Sequence, residues 1–91
     1  MQDVVVYSSK FCPYCQRALA LLAQKGVPVT VISVDDQPQV RKTMAEKAGR
    51  SSVPQIWIGN THVGGCDDLH VLDGQGLLDP LLAGTSEPSD S

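Results

Sequence analysis

The chain has 91 residues, room for one domain near the lower limit of what a single core supports. Its 42% apolar content argues against disorder, and no apolar run approaches the ~20 residues that span a bilayer. All seven Lys and Arg lie in the first fifty residues, while residues 51–91 carry six acids and no base, for a net charge of −3; this excludes a general nucleic-acid binder but leaves room for a small anionic ligand.

The start, Met1-Gln2-Asp3-Val4, lacks the basic flank and cleavage site of a signal peptide, so the cytoplasm is the expected compartment. Three cysteines in such a place do not suit a fully paired disulfide scaffold. Two of them, Cys12 and Cys15, are spaced for redox or metal chemistry.

In chain order, Val4-Val5-Val6-Tyr7 is an apolar, β-branched run that predicts a strand buried on both faces. Ser8 to Phe11 is a loop, and Pro13 suits the first position of a helix carrying Cys15, Ala18, Leu19 and Leu22, closed by Gly26. Val29 to Val34 predicts a second strand, joined to the first by a right-handed parallel crossover. Pro38 opens a second helix with Val40, Met44 and Ala48 on its inner stripe and Gly49 past its end. Gln55-Ile56-Trp57-Ile58 alternates polar and apolar faces, Gly59-Asn60 is a hairpin turn, and Thr61-His62-Val63 returns. Gly64-Gly65 breaks the strand, Cys66 or Asp67 caps a helix with Leu69 and Leu72, and Gly74 and Gly76 interrupt it before Leu77–Ala83. The domain is expected over residues 1–84, with 85–91 a flexible tail.

Cys12 falls at the N-cap of the first helix, where unpaired N–H groups, the helix dipole and nearby Lys10 favour a thiolate. Such surroundings lower a cysteine pKa from ~8.5 to roughly 3.5–7.5. Cys15, one turn inside, is expected to be the more buried; Cys12 then attacks and Cys15 resolves. Structural zinc is the other reading of the pair, with Cys66 and His62 as nominal further ligands.

Two further elements bear on a ligand. Ser51-Ser52-Val53-Pro54 leads into the hairpin, and a cis bond before Pro54 would free the Val53 backbone to pair with an extended peptide; an ordinary trans proline opening an edge strand is the alternative. In Gly64-Gly65-Cys66-Asp67-Asp68, helix-start amides suit a carboxylate and the Asp67 side chain an ammonium group, although the same residues also read as a plain hairpin exit and cap. Trp57 is expected partly exposed on the sheet, and His70 solvated.

Over roughly residues 3–82, these elements in this order closely resemble the dithiol glutaredoxins, and Leu78-Asp79-Pro80-Leu81-Leu82 resembles the closing helix of their compact bacterial branch. The resemblance implies an α/β, thioredoxin-like fold: a four-stranded mixed sheet flanked by helices. It implies Cys12 and Cys15 as the catalytic pair, no bound cofactor or metal, and glutathione as cosubstrate. Lys10 and Tyr14 would flank the sulfur and the glycyl end of glutathione. Val53, preceding a cis Pro54, would pair with its cysteinyl backbone, Ser52 and Pro54 would belong to the same glutathione site, and Gly65, Cys66 and Asp67 would hold the γ-glutamyl end. Serines at 51 and 52 depart from the family's usual threonines, keeping the hydroxyl and losing a methyl. The implied partners are glutathione and disulfide-containing or glutathionylated proteins, met as a monomer, with neither nucleic acid nor membrane. A small redoxin served by a flavin-dependent reductase, or a metal or iron–sulfur carrier, are the other readings.

Overall fold

The structure, a computed structural model, describes residues 2–84. The tail expected over 85–91 lies outside them. Among the described residues four strands and four helices follow one another as β1 (Val4–Ser8), α1 (Pro13–Gln24), β2 (Val29–Ser33), α2 (Pro38–Ala48), β3 (Gln55–Ile58), β4 (Thr61–Gly64), α3 (Cys66–Gly74) and α4 (Leu78–Ala83). The sheet order is β2-β1-β3-β4. β1 runs parallel to β2, with Ser8 opposite Ser33, and antiparallel to β3, which pairs antiparallel with β4. This is the mixed four-stranded sheet expected from the sequence.

The side-chain period of two sorts the strands between two cores. On one face Val4 and Val6 of β1 join Ile56 and Ile58 of β3 against Ala18, Leu21 and Leu22 of α1, Leu69 of α3 and Leu78 and Leu82 of α4. On the other, Tyr7 packs with Val34 and with Met44 of α2, and Val5, Ile32, Val40, Val53 and Trp57 lean on that cluster. β1, with a neighbour on each side, is accordingly nearly all buried, whereas edge strand β2 leaves Val31 half in water.

The helix ends follow their local chemistry. Pro13 is the first residue of α1, where its missing N–H has no intrahelical partner to lose. Gly26 follows with φ 72°, the left-handed turn that a residue without Cβ adopts freely. Lys25, at the end of α1, ties it to α3 and α4 through Asp73 at 2.7 Å and Asp79 at 3.0 Å.

Several expectations need correction. The ladder of β2 stops at Ser33, although the Val34 N–H still donates to the Ser8 carbonyl at 2.9 Å. Gly65, not Cys66 or Asp67, caps α3, because the Asp68 carboxylate reaches back to accept the Gly65 N–H at 2.9 Å. α3 runs through Gly74, and α4 begins at Leu78 with Leu77 as its cap. Gln55 is fully buried on what the alternation makes the polar face of β3; its amide is satisfied from within, as described below.

Candidate active site

β1 ends at buried Ser8, and the three residues that follow bring Cys12 to the mouth of α1. Cys12 is the N-cap, with extended backbone (φ −110°, ψ 107°), and its sulfur accepts the Cys15 N–H at 3.2 Å. The same sulfur lies 3.6 Å from the Val53 carbonyl oxygen, to which the thiol donates. All three cysteines are free thiols; Cys12 is half-buried, and Cys15 and Cys66 are buried. Burial first, and the neighbouring Cys12 sulfur second, push the Cys15 thiol up, offset in part by hydrogen bonds from the Ser9 backbone and the Ser8 hydroxyl. The accessible sulfur at a helix N-terminus is thus placed to attack, and the buried one, held as a thiol, to follow.

The second wall is the loop before β3. The Val53–Pro54 bond is cis, as one of the two sequence readings had it. Gln55 anchors the loop from beneath: its Nε2 donates to the Ser52 carbonyl at 3.0 Å and lies 3.4 Å from the Ser52 hydroxyl. Its Oε1 faces His62 Nε2 at 2.8 Å, so His62 is the donor there. His62 in turn stacks on Trp57, with ring centroids 4.5 Å apart, and Trp57 meets Tyr7 edge-on at 5.4 Å. A buried polar side chain met on all sides in this way costs the fold little and fixes the loop above it.

The third wall is the start of α3. A register shift between Ile56 and Trp57 in the β3–β4 ladder precedes Gly64, whose φ of 114° few side chains tolerate. A Cβ on Gly64 would collide with the Asp68 carboxylate that caps the helix. The Cys66 and Asp67 amides occupy the first turn, where a helix has no partner of its own for them. Burial, chiefly, pushes the Cys66 thiol up, and Arg17 opposes that shift.

Between these walls lies an open cleft of about 180 Å³. Tyr14, Ser52, Val53, Pro54, Gly65, Cys66 and Asp67, all expected at a ligand site, line it together. Lys10 does not: it is exposed outside that lining, its ammonium 5.3 Å from the centre of the Phe11 ring. Arg50, Gln55 and Asp68 also line the cleft and were missed. Arg50, 3.2 Å from the Asp68 carboxylate, reads in the sequence as one more surface cation. Only Asp68 carries a local signal, a carboxylate three residues after the cap. Among the described residues no three His, Cys, Asp or Glu side chains lie together, and His62, a nominal zinc ligand in the sequence, is engaged with Gln55 and Trp57.

Comparison with known proteins agrees with this arrangement. The family model described as glutaredoxin matches residues 4–63. A glutaredoxin of Pseudomonas aeruginosa is 55% identical over 83 residues, covering 91% of this chain and 99% of the relative. The solution structure of a glutaredoxin from Brucella melitensis superposes with a TM-score of 0.83 at 49% identity, covering 96% of this chain and 94% of the other. A buckwheat glutaredoxin–glutathione complex superposes with a TM-score of 0.86 at 30% identity, over 92% of this chain and 79% of that one. With a thiol pair at the head of α1, a cis proline facing it and a sequence matched from β1 through β4, the chain belongs to the glutaredoxin family of thiol–disulfide oxidoreductases.

Proposed function

We propose that the protein uses glutathione to reduce protein disulfides and glutathione mixed disulfides. The observation that carries the reading is the placement of the Cys12 sulfur. It lies between the Cys15 N–H and the Val53 carbonyl, beside a cleft whose walls carry the Val53 backbone, the first-turn amides of Cys66 and Asp67 and the Asp67 carboxylate. Glutathione, which the buckwheat relative holds, is the ligand we assign to that cleft. Its γ-glutamyl carboxylate meets the Cys66 and Asp67 amides, its ammonium the Asp67 carboxylate, and its cysteinyl backbone pairs with Val53 beside Pro54 and Ser52. Tyr14 borders the cleft toward the glycyl end, with Lys10 acting at longer range, while Arg50, paired with Asp68, stands at the α3 end.

In the mixed-disulfide reaction the Cys12 thiolate attacks the glutathione sulfur, the disulfide breaks, and the protein leaves as thiolate. A second glutathione thiolate then attacks the Cys12-bound glutathione, releasing glutathione disulfide and restoring Cys12. With a protein disulfide, Cys12 bonds to one protein sulfur and frees the other. Cys15, after losing its proton, attacks Cys12 and expels the substrate thiol, leaving a Cys12–Cys15 disulfide that two glutathiones reduce. No resident cofactor enters, and the protein acts as a monomer in the cytoplasm. A coupled assay tests this: NADPH, glutathione reductase, glutathione and a small glutathione mixed disulfide should give turnover that saturates in glutathione. Turnover only with a flavin-dependent dithiol reductase would instead favour the small-redoxin alternative.

A further inference from the structure

We propose that Asp35 is a positioning residue for Cys12: its carboxylate, in the turn after β2, holds the loop that carries the nucleophile. The inference rests on the reading of Cys12 as the attacking thiol. Because β1 and β2 are parallel and in register from Val4–Val29 to Ser8–Ser33, their C-terminal ends lie side by side, and the loops that leave them are neighbours. Across that gap the Ser9 hydroxyl donates to Asp35 Oδ1 at 2.6 Å, and the Lys10 N–H donates to Asp35 Oδ2 at 2.9 Å. The Ser9 carbonyl then accepts the Cys12 N–H at 3.3 Å. One carboxylate thereby fixes two of the three residues between β1 and Cys12, and the second link ends on Cys12 itself.

Asp35 is itself held. Its N–H donates to the Ser33 hydroxyl at 3.1 Å, and the Gln37 side chain donates to the Ser33 carbonyl at 3.4 Å. The next residue, Asp36, takes φ 56°, a left-handed conformation unusual outside glycine that turns the chain into α2 directly behind the carboxylate. The Lys10 N–H first, and the Ser9 hydroxyl second, keep the Asp35 carboxyl below the ordinary carboxylate range, so it is charged at neutral pH. Lys10 and Arg41 add favourable charge, and Arg41 also donates to the Ser51 carbonyl at 2.8 Å on the opposite wall. Charge and geometry could therefore both matter, and they are separable. Asparagine at 35 keeps an acceptor for the Lys10 N–H and can donate its amide to the Ser9 hydroxyl, whereas alanine keeps neither.

The test compares Asp35→Ala, Asp35→Asn and Ser9→Ala with the parent, reading glutathione-dependent turnover, thermal midpoint and backbone amide exchange by NMR. Asp35→Ala should lower kcat by roughly three- to tenfold, as a displaced nucleophile does, and change KM for glutathione by less than about twofold. Asp35→Asn should restore kcat to within about twofold, with Ser9→Ala between the two. Lys10 and Cys12 amides should exchange faster in Asp35→Ala and at the parental rate in Asp35→Asn, with α3 and β4 amides unchanged. Three results would overturn the proposal: equal impairment in the asparagine and alanine variants, unchanged kcat in both, or unchanged Lys10 and Cys12 exchange in Asp35→Ala. The exchange measurement needs no substrate. A parent without glutathione turnover would therefore count against the proposed function alone, while the amides still decide the role of Asp35.

Discussion

Cys15 and Cys66 are 0% and 3% exposed, and in both the loss of water around the sulfur is the first cause that raises the thiol from its ordinary value. Each stays neutral in the fold at a pH where the unfolded chain would already ionise. The stability they contribute is fully present below the ordinary thiol range of about 8.5 and is lost as pH rises past it. The thermal midpoint should therefore fall between pH 7 and about 9.5, a window below lysine titration. Cys66→Ala should fall less steeply over the same window; equal slopes would remove burial of Cys66 as a cause. On the ligand side, Asp67 lines the cleft and Lys10 stands outside it. Asp67→Ala should raise KM for glutathione about three- to tenfold, and Lys10→Ala by less than about threefold, as expected of exposed ion pairs. Steady-state titration with glutathione checks the order, and a larger effect at Lys10 would reverse the assignment. The places of Cys12 and Cys15 at the head of α1 and of Asp67 in the first turn of α3 were legible because local spacing sets them. Gln55 and Asp35 were not, since their partners at His62, Ser9 and Lys10 come from other segments that only strand register brings near.

At the scale of elements, the β4–α3 junction joins fold and site most tightly. Gly64 combines a positive φ with no room for a Cβ, and the group it would strike is the carboxylate that caps α3. Gly64→Ala should cost about 2–4 kcal/mol, the sum of left-handed strain and a lost cap, seen as a lower denaturant midpoint. Asp68→Ala removes the cap without the backbone conflict and should cost about 0.5–2 kcal/mol. A Gly64→Ala variant no less stable than Asp68→Ala would contradict the collision. The sequence marked Gly64-Gly65 as a break and placed the cap one or two residues late. Gly65 has no side chain to announce a cap, and the capping carboxylate sits three residues on.

At the scale of the whole molecule, the sheet separates two apolar clusters, and the larger one fastens α1, with its N-terminal thiol, to α3 and α4. Leu22, fully buried in that cluster, should cost about 2–5 kcal/mol when cut to alanine. Val31, half exposed on edge strand β2, should cost under about 0.5 kcal/mol on the same change. Chemical denaturation of both variants checks the contrast, and similar losses would mean the core is wrongly placed. The strand–helix–strand unit, the hairpin and the closing helices were all legible from periodicity, glycine and proline. That β1 lies between β2 and β3 was not legible, because hydrophobic pattern alone does not choose a strand's neighbours. The most direct measurement on the central claim compares Cys12→Ser with Cys15→Ser in the glutathione-coupled assay, on a small mixed disulfide and on a protein disulfide. Cys12→Ser should lose both reactions by more than about 100-fold, since no nucleophile remains. Cys15→Ser should keep the mixed-disulfide reaction within a few-fold of the parent and lose most protein-disulfide reduction. Equal loss of the mixed-disulfide reaction in both variants would contradict the division of labour between the half-buried and the buried thiol.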